Sequence, residues 1–276
     1  MDSLEQWDRV QPEIARSTRA CSYDRAGSGW SDRGPEPRNA GHEAIELHEL
    51  LSRAGEHSPF VLVGHSYSGL ISLIFASRYR SETAGMVLVD SVSPRELTDF
   101  PSKRFVIPSY QILLLRAAAM WGGPRLIGLC GATGAIPDCP RYVAAEMDNL
   151  KWYGDSHREA GKTNDLGTLP LAVVAHDPRI GLAGARDDAF ESAWNHWQHE
   201  MTQLSSHSIF VEATGVGHEI QTDRPETVIG AINRIIEETR KRYNLGRTWF
   251  AGFVQPVQSG PKRDYQNYSR ATRRIT

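Results

Sequence analysis

Cysteine is scarce: the chain has 3 among 276 residues, an odd number that argues against a disulfide framework. Cys21 falls in a short strand candidate and is expected as a small buried apolar side chain. Cys130 and Cys139 lie in a Gly/Pro-rich stretch and would pair only in an oxidising compartment. Charge of one sign is missing too. Lys and Arg number 31 against 33 Asp and Glu, a formal net charge of -2, which gives a nucleic acid or acidic polymer no broad surface to bind. Apolar runs such as Ile112 to Trp121 fall short of the ~20 residues that a membrane span needs. No charged-then-apolar segment opens the chain as an export signal would. A cytoplasmic protein with no stable membrane insertion and no nucleic-acid partner is the default expectation. The histidines show no metal-ligand spacing and no glycine loop suits a phosphate, so neither a metal nor an organic cofactor is called for.

What is present is alternation. Leu4, Trp7, Val10 and Ile14 recur at helical spacing, in a pattern interrupted by Pro12. Arg19 to Tyr23 reads as a short strand leading into the turn Asp24 to Asp32, and Ala40 to Ala54 places Ile45, Leu47, Leu50 and Leu51 on a helix face. Then follow a strand at Phe60 to Val63, a helix at Leu70 to Tyr79 and a strand at Ala84 to Val89. The alternation lapses from Val92 to Thr168, where Tyr110 to Trp121 and Pro140 to Tyr153 are helix candidates. It resumes with strands at Leu169 to Ala175 and Ser208 to Ala213, and helices at Ala189 to Leu204 and Glu226 to Tyr243. This predicts an α/β fold, a mostly parallel sheet with helices on both faces and a helical cap inserted after the strand ending at Val89. Residues 1–91 and 169–243 would form the core and 92–168 the cap. The basic tail, 244–276, is expected to be disordered or loosely docked.

The segment richest in chemistry is Val61-Leu62-Val63-Gly64-His65-Ser66-Tyr67-Ser68-Gly69, a buried strand running into a turn of small residues and then a helix. A sharp strand-to-helix turn forces its central residue into a strained conformation and leaves no room for bulk two positions away. Gly64 meets that requirement before Ser66. Ser68 stands where a strict G-x-S-x-G pattern has glycine, but it is small and Gly69 follows. Ser68 is the poorer nucleophile candidate, because Ser66 and Leu70 would occupy its crowded flanks. The plainer alternative is a Gly/Ser-rich loop after a core strand. Three further blocks accompany this one: Ser22 to Asp32, Gly85 to Ser91, and Gly217-His218. In this order, from about Leu4 to Tyr243, they resemble the α/β-hydrolase fold superfamily, in its broad group of capped serine hydrolases.

That resemblance implies roles. Ser66 would be the nucleophile and His218, on the glycine-bearing loop after the last strand, its general base. The carboxylate that orients the histidine is left between Asp90 and Asp177, with Asp90 preferred and Asp187 and Asp188 weaker alternatives. The Tyr67 backbone N–H would be one oxyanion donor. The second donor normally comes from a loop after an earlier strand. The chain opens at Met1 in what reads as the helix following that loop, so strand and loop are expected to be missing. The sheet edge thus exposed leaves a homodimer possible. Asp24 and Arg25 would shape the turn near the site. Families with an aspartate nucleophile are disfavoured by the serine at the turn. His65 is expected to pack or bond beside the nucleophile. His42, His48, His57 and His157 are placed at the surface, and His196, His199 and His207 around a helix. The expected activity is hydrolysis of a carboxylic ester through an acyl-enzyme. The substrate would be a small apolar acyl or alkyl ester, with Ile112 to Leu115, Trp121 and Trp152 as an apolar wall. The alternative is a non-catalytic binding protein of the same fold, or an inactive shortened chain.

Overall fold

The computed structural model describes residues 4–99, 110, 114, 117, 150–181 and 188–243. A single turn at Leu4–Trp7 is followed by α1 (Gln11–Ile14), α2 (Ala40–Arg53), β1 (Phe60–His65), α3 (Ser68–Arg78), β2 (Thr83–Val89) and α4 (Glu96–Asp99). Then come α5 (Tyr153–Ala160), β3 (Leu171–His176), α6 (Asp188–Thr202), β4 (Ser208–Ala213), α7 (Ile220–Asp223) and α8 (Pro225–Arg242). The four strands form one parallel sheet in chain order, β1-β2-β3-β4. Parallel neighbours require crossovers, and the helices between them supply these.

The period of two along each strand sorts side chains between two cores. Leu62, Met86, Leu88, Leu171 and Val173 face a core shared with α2, α3 and α6, where Leu70, Phe75 and Trp197 are buried. Val87, Val89, Ala172 and Val174 face the opposite core, shared with α1 and α8 through Ile14, Val228, Ile232 and Ile235. Every residue of β2 and β3 is buried, as expected of strands covered on both faces. Among the described residues no helix is long and apolar enough to cross a membrane.

The structure differs from the sequence reading at several places. Pro12 lies in the first turn of α1, where its missing N–H costs nothing, so it opens that helix instead of interrupting one. Arg19 to Tyr23 joins no strand ladder. β1 ends the sheet, and no strand among the described residues pairs along its outer side. The segment is instead tethered by side chains: Gln11 Nε2 donates to Ala20 O at 3.1 Å and Arg19 Nε to Glu56 Oε1 at 2.8 Å. Cys21 is accordingly exposed, not buried. His157, expected at the surface, is buried, because α5 packs against α2 and α3. Most of the helix candidates at Tyr110 to Trp121 and Pro140 to Tyr153, and all of Cys130, Cys139, Asp187 and the tail, lie outside the described residues.

The turn between β1 and α3 is tightly packed. A Cβ on Gly64 would lie 2.7 Å from Ser68 O, and one on Gly69 would lie 2.4 Å from Ser91 Cβ. Gly230, inside α8, has nothing within 4 Å of such an atom. Gly69→Ala should therefore destabilise the protein by about 1–3 kcal/mol through overpacking. Gly230→Ala should stabilise it by about 0.5–1 kcal/mol through helix propensity. Urea denaturation of both variants beside the parent checks the opposite signs.

Candidate active site

β1 delivers Ser66 at its carboxyl end, in the left-handed region with φ of 50°, a strained conformation for a residue with a side chain. The backbone around it is over-determined. Ser66 N donates to Val89 O at 3.1 Å and Val92 N to Ser66 O at 3.0 Å, which ties the turn to the end of β2. Ser91 Oγ donates to Gly64 O at 2.9 Å from the same side. Ser68 begins α3 and its carbonyl accepts from Ser72 Oγ at 2.9 Å. Tyr67 caps α3, so its amide sits at the N-terminal pole of that helix. Its ring lies under the Arg25 guanidinium, 5.1 Å from the centroid, and its hydroxyl meets Ser156 Oγ at 2.9 Å. Arg25 in turn pairs with buried Glu43 at 3.2 Å, and Asp24 accepts from the Leu4 and Trp30 amides. Of the two, Arg25 touches a residue of the serine turn, whereas Asp24 holds its own turn.

Asp90, directly after β2, is wholly buried and also left-handed, with φ of 42°. His218 Nδ1 donates to its Oδ2 at 2.5 Å. His176 Nδ1 lies 2.8 and 2.9 Å from the two carboxylate oxygens, and Trp194 Nε1 donates to Oδ1 at 3.0 Å. Burial works to raise the carboxyl's pKa, but the donors from His176 and His218 outweigh it and hold the group well below the usual carboxylate range. The site thus contains a fixed anion with an imidazole on it.

Asp177 is placed differently. Arg179 Nε and Nη2 reach its two oxygens at 2.8 and 2.6 Å, and Gly215 N donates to it at 2.8 Å. The Arg179 guanidinium, then the backbone amides, hold its carboxyl below the ordinary range. Asp177 N also donates to Val216 O at 3.0 Å. Asp177 therefore latches the loop that carries His218 and does not bond the imidazole. Of the weaker candidates, Asp188 begins α6.

The His218 loop turns on Gly215, whose φ is 81°. His65 Nε2 bonds the His218 carbonyl at 3.0 Å, and the two rings are 4.5 Å apart. The expected bonding role of His65 is thus seen. The loop is brought to the residue preceding Ser66, although no hydrogen bond joins Ser66 Oγ to His218. Such bonds are often long before substrate binds. Of the expected apolar wall, Trp152 is half-buried beneath the Lys151 ammonium, Leu114 is exposed, and Ile112, Leu113, Leu115 and Trp121 lie outside the described residues. Ligand-capable atoms of His65, His218 and Glu219 lie within 4.8 Å of one another. Each residue already has one such atom in a hydrogen bond, Glu219 Oε2 accepting from Gln6 and Gln221.

Three residues of the site were not singled out from the sequence: His176, Glu191 and Trp194. His176 Nε2 meets Glu191 Oε1 at 2.6 Å, so the ring is held between two carboxylates. Its position at the carboxyl end of a buried strand, beside Asp177, was the available signal.

Similar proteins agree with this architecture. An AB hydrolase superfamily protein of Gibberella zeae is 25% identical over 266 residues, covering 85% of this chain and 83% of the relative. An uncharacterised Schizosaccharomyces pombe protein is 41% identical over 90 residues, but this chain spans only 17% of that relative's length. Among solved structures, the epoxide hydrolase CorEH superposes with a TM-score of 0.59 at 17% identity, covering 87% of this chain and 89% of that one. A thermophilic esterase from Thermogutta terrifontis gives 0.54 at 19% identity, with 86% of each chain covered. At these identities the structural likeness establishes the fold alone. The model of the Alpha/beta hydrolase family matches residues 3–231, and the chain belongs to that family.

Proposed function

We propose that this chain is a serine hydrolase that cleaves a small carboxylic ester through an acyl-enzyme. The observation that carries the reading is the 2.5 Å bond from His218 Nδ1 to buried Asp90, set beside a serine held left-handed at a strand-to-helix turn. With Nδ1 donating to Asp90, the neutral imidazole presents Nε2 as an acceptor. Ser66 Oγ attacks the ester carbonyl while His218 Nε2 takes its proton. The imidazolium so formed lies against an anion that is already ionised and oriented, so little reorganisation accompanies the charge. The Tyr67 amide, at the helix pole, faces the developing oxyanion. His218 returns the proton to the leaving alkoxide, and water repeats the sequence on the acyl-enzyme. Serine at the turn favours this reading over an aspartate-nucleophile reaction of the kind carried out on epoxides. An uncharged acyl or alkyl group suits the half-buried Trp152 region, and a cytoplasmic setting suits a chain with an exposed cysteine.

Labelling with a fluorophosphonate, read by intact mass, tests the nucleophile. One adduct is expected on the parent, none on Ser66→Ala, and a slowed reaction on His218→Ala. A folded parent that takes no adduct would favour a non-catalytic binding protein of this fold. The two aspartates separate in turnover of p-nitrophenyl butyrate. Asp90→Asn should lower kcat by about 10⁴-fold by presenting the wrong imidazole tautomer. Asp177→Asn should cost less than about tenfold, since it loosens only the loop. The reverse ranking would move the acid to Asp177.

A further inference from the structure

We propose that His176, clamped between Asp90 and Glu191, is a positioning residue that fixes the triad carboxylate from behind and sets how readily His218 takes a proton. The inference rests on the serine-hydrolase reading above and adds a member to it. A neutral imidazole has one N–H and one bare nitrogen, whereas both nitrogens of His176 face carboxylate oxygens, at 2.8 Å and 2.6 Å. Only the doubly protonated ring can donate to both. Its side chain is 2% exposed, Asp90 is fully buried, and Glu191 reaches it from α6. Burial opposes the charge, yet the bonds to Asp90 and then Glu191 raise the imidazole pKa to about 8.

A lone buried carboxylate beside His218 would favour the imidazolium at rest, and a base that already holds its proton cannot take one from serine. A cation on the far side of that carboxylate opposes the second positive charge. His176 has the geometry for this: one imidazolium, shared between Asp90 and Glu191, offsets the anion, with its Nδ1 astride the carboxylate at 2.8 Å from Oδ1 and 2.9 Å from Oδ2, while His218 donates to Oδ2 at 2.5 Å. Other charged groups face this chain of contacts. Next to His176, Asp177 is neutralised by Arg179. Around His218 stand His65 from β1 and Glu219, whose carboxylate is bonded to Gln6 and Gln221. The His176 amide at 3.2 Å and the Trp194 indole supply the remaining donors to Asp90, and the indole lies edge-on to the His218 ring, 5.9 Å away.

The test is the pH profile of kcat/KM for p-nitrophenyl butyrate in the parent, His176→Gln and Glu191→Gln, with histidine carbon NMR following the His218 ring in each. Glutamine keeps a donor to Asp90 but removes the charge, so the acid limb and the His218 midpoint should both move up by about one pH unit. Glu191→Gln withdraws the carboxylate that stabilises the second proton on His176. It should move both in the same direction by less, in a variant altered only at the partly exposed end of the contact. His196→Gln, on the exposed face of α6, should move neither. Unmoved midpoints in folded His176→Gln and Glu191→Gln would overturn the inference, whatever the loss of stability. If the parent takes no fluorophosphonate, the hydrolase reading fails, but the NMR midpoints still decide whether His176 acts on His218.

Discussion

The carboxylate of Asp90 is the group on which the site depends. Moving an ionised carboxylate out of water costs several kcal/mol even after relaxation, unless donors replace the lost hydration. Here the donors come from three separate places in the chain: His176 at the end of β3, Trp194 on α6 and His218 on the loop after β4. The anion therefore holds together the carboxyl-terminal edge of the sheet, and each element that approaches it is fixed by the same charge. Strand order makes this possible. Because β1, β2 and β3 are neighbours, Ser66, Asp90 and His176 stand on consecutive strand ends.

Two aspartates at adjacent strand ends could have competed for one role, and their surroundings separate them. Asp90 is fully buried, and beside the His176 amide its donors are two imidazoles and an indole. Asp177 is saturated by a permanently charged guanidinium and by the backbone amides of Arg179 and Gly215. A carboxylate tied in that way is a strut. It holds the His218 loop at its root, and the loop then reaches across to Asp90. The same residue type thus gives a fixed anchor in one place and an electrostatic partner in the other, and sequence alone does not distinguish them.

Most of the fold was legible because its strands are buried on both faces. Runs such as Val87-Leu88-Val89 and Ala172-Val173-Val174 have few alternatives once helices flank them. The serine turn was legible for a steric reason, since Gly64 and Gly69 sit where a side chain would collide with Ser68 or Ser91. Arg19 to Tyr23 misled because strand composition describes a side chain's preference and not the presence of a hydrogen-bonding neighbour. The errors at Cys21 and His157 are of the same kind: exposure followed the packing partner, which local pattern does not reveal. His176 was hidden more deeply. Its importance arises only when β3 lies beside β2 and α6 folds back to place Glu191 against it, a closure with no periodic signature.

Ser66 and Asp90 are the two non-glycine residues with positive φ among those described, and they are not independent. The Ser66 amide bonds the carbonyl of Val89, the Asp90 amide bonds Val174, and the Val92 amide returns to the Ser66 carbonyl. Such strain persists only where surrounding structure over-determines the backbone. Here the Ser66 turn and the Asp90 turn restrain each other through main-chain bonds between β1, β2 and β3. The spacing of Ser66 and Asp90 is then set by the sheet, which side-chain changes alter little. The histidine arrives on a different footing, on a loop hinged at Gly215 and tied to Asp177, His65 and Asp90. On the proposed reading, that arrangement suits a reaction in which one imidazole must meet two oxygens in turn, first the serine's and then the leaving group's.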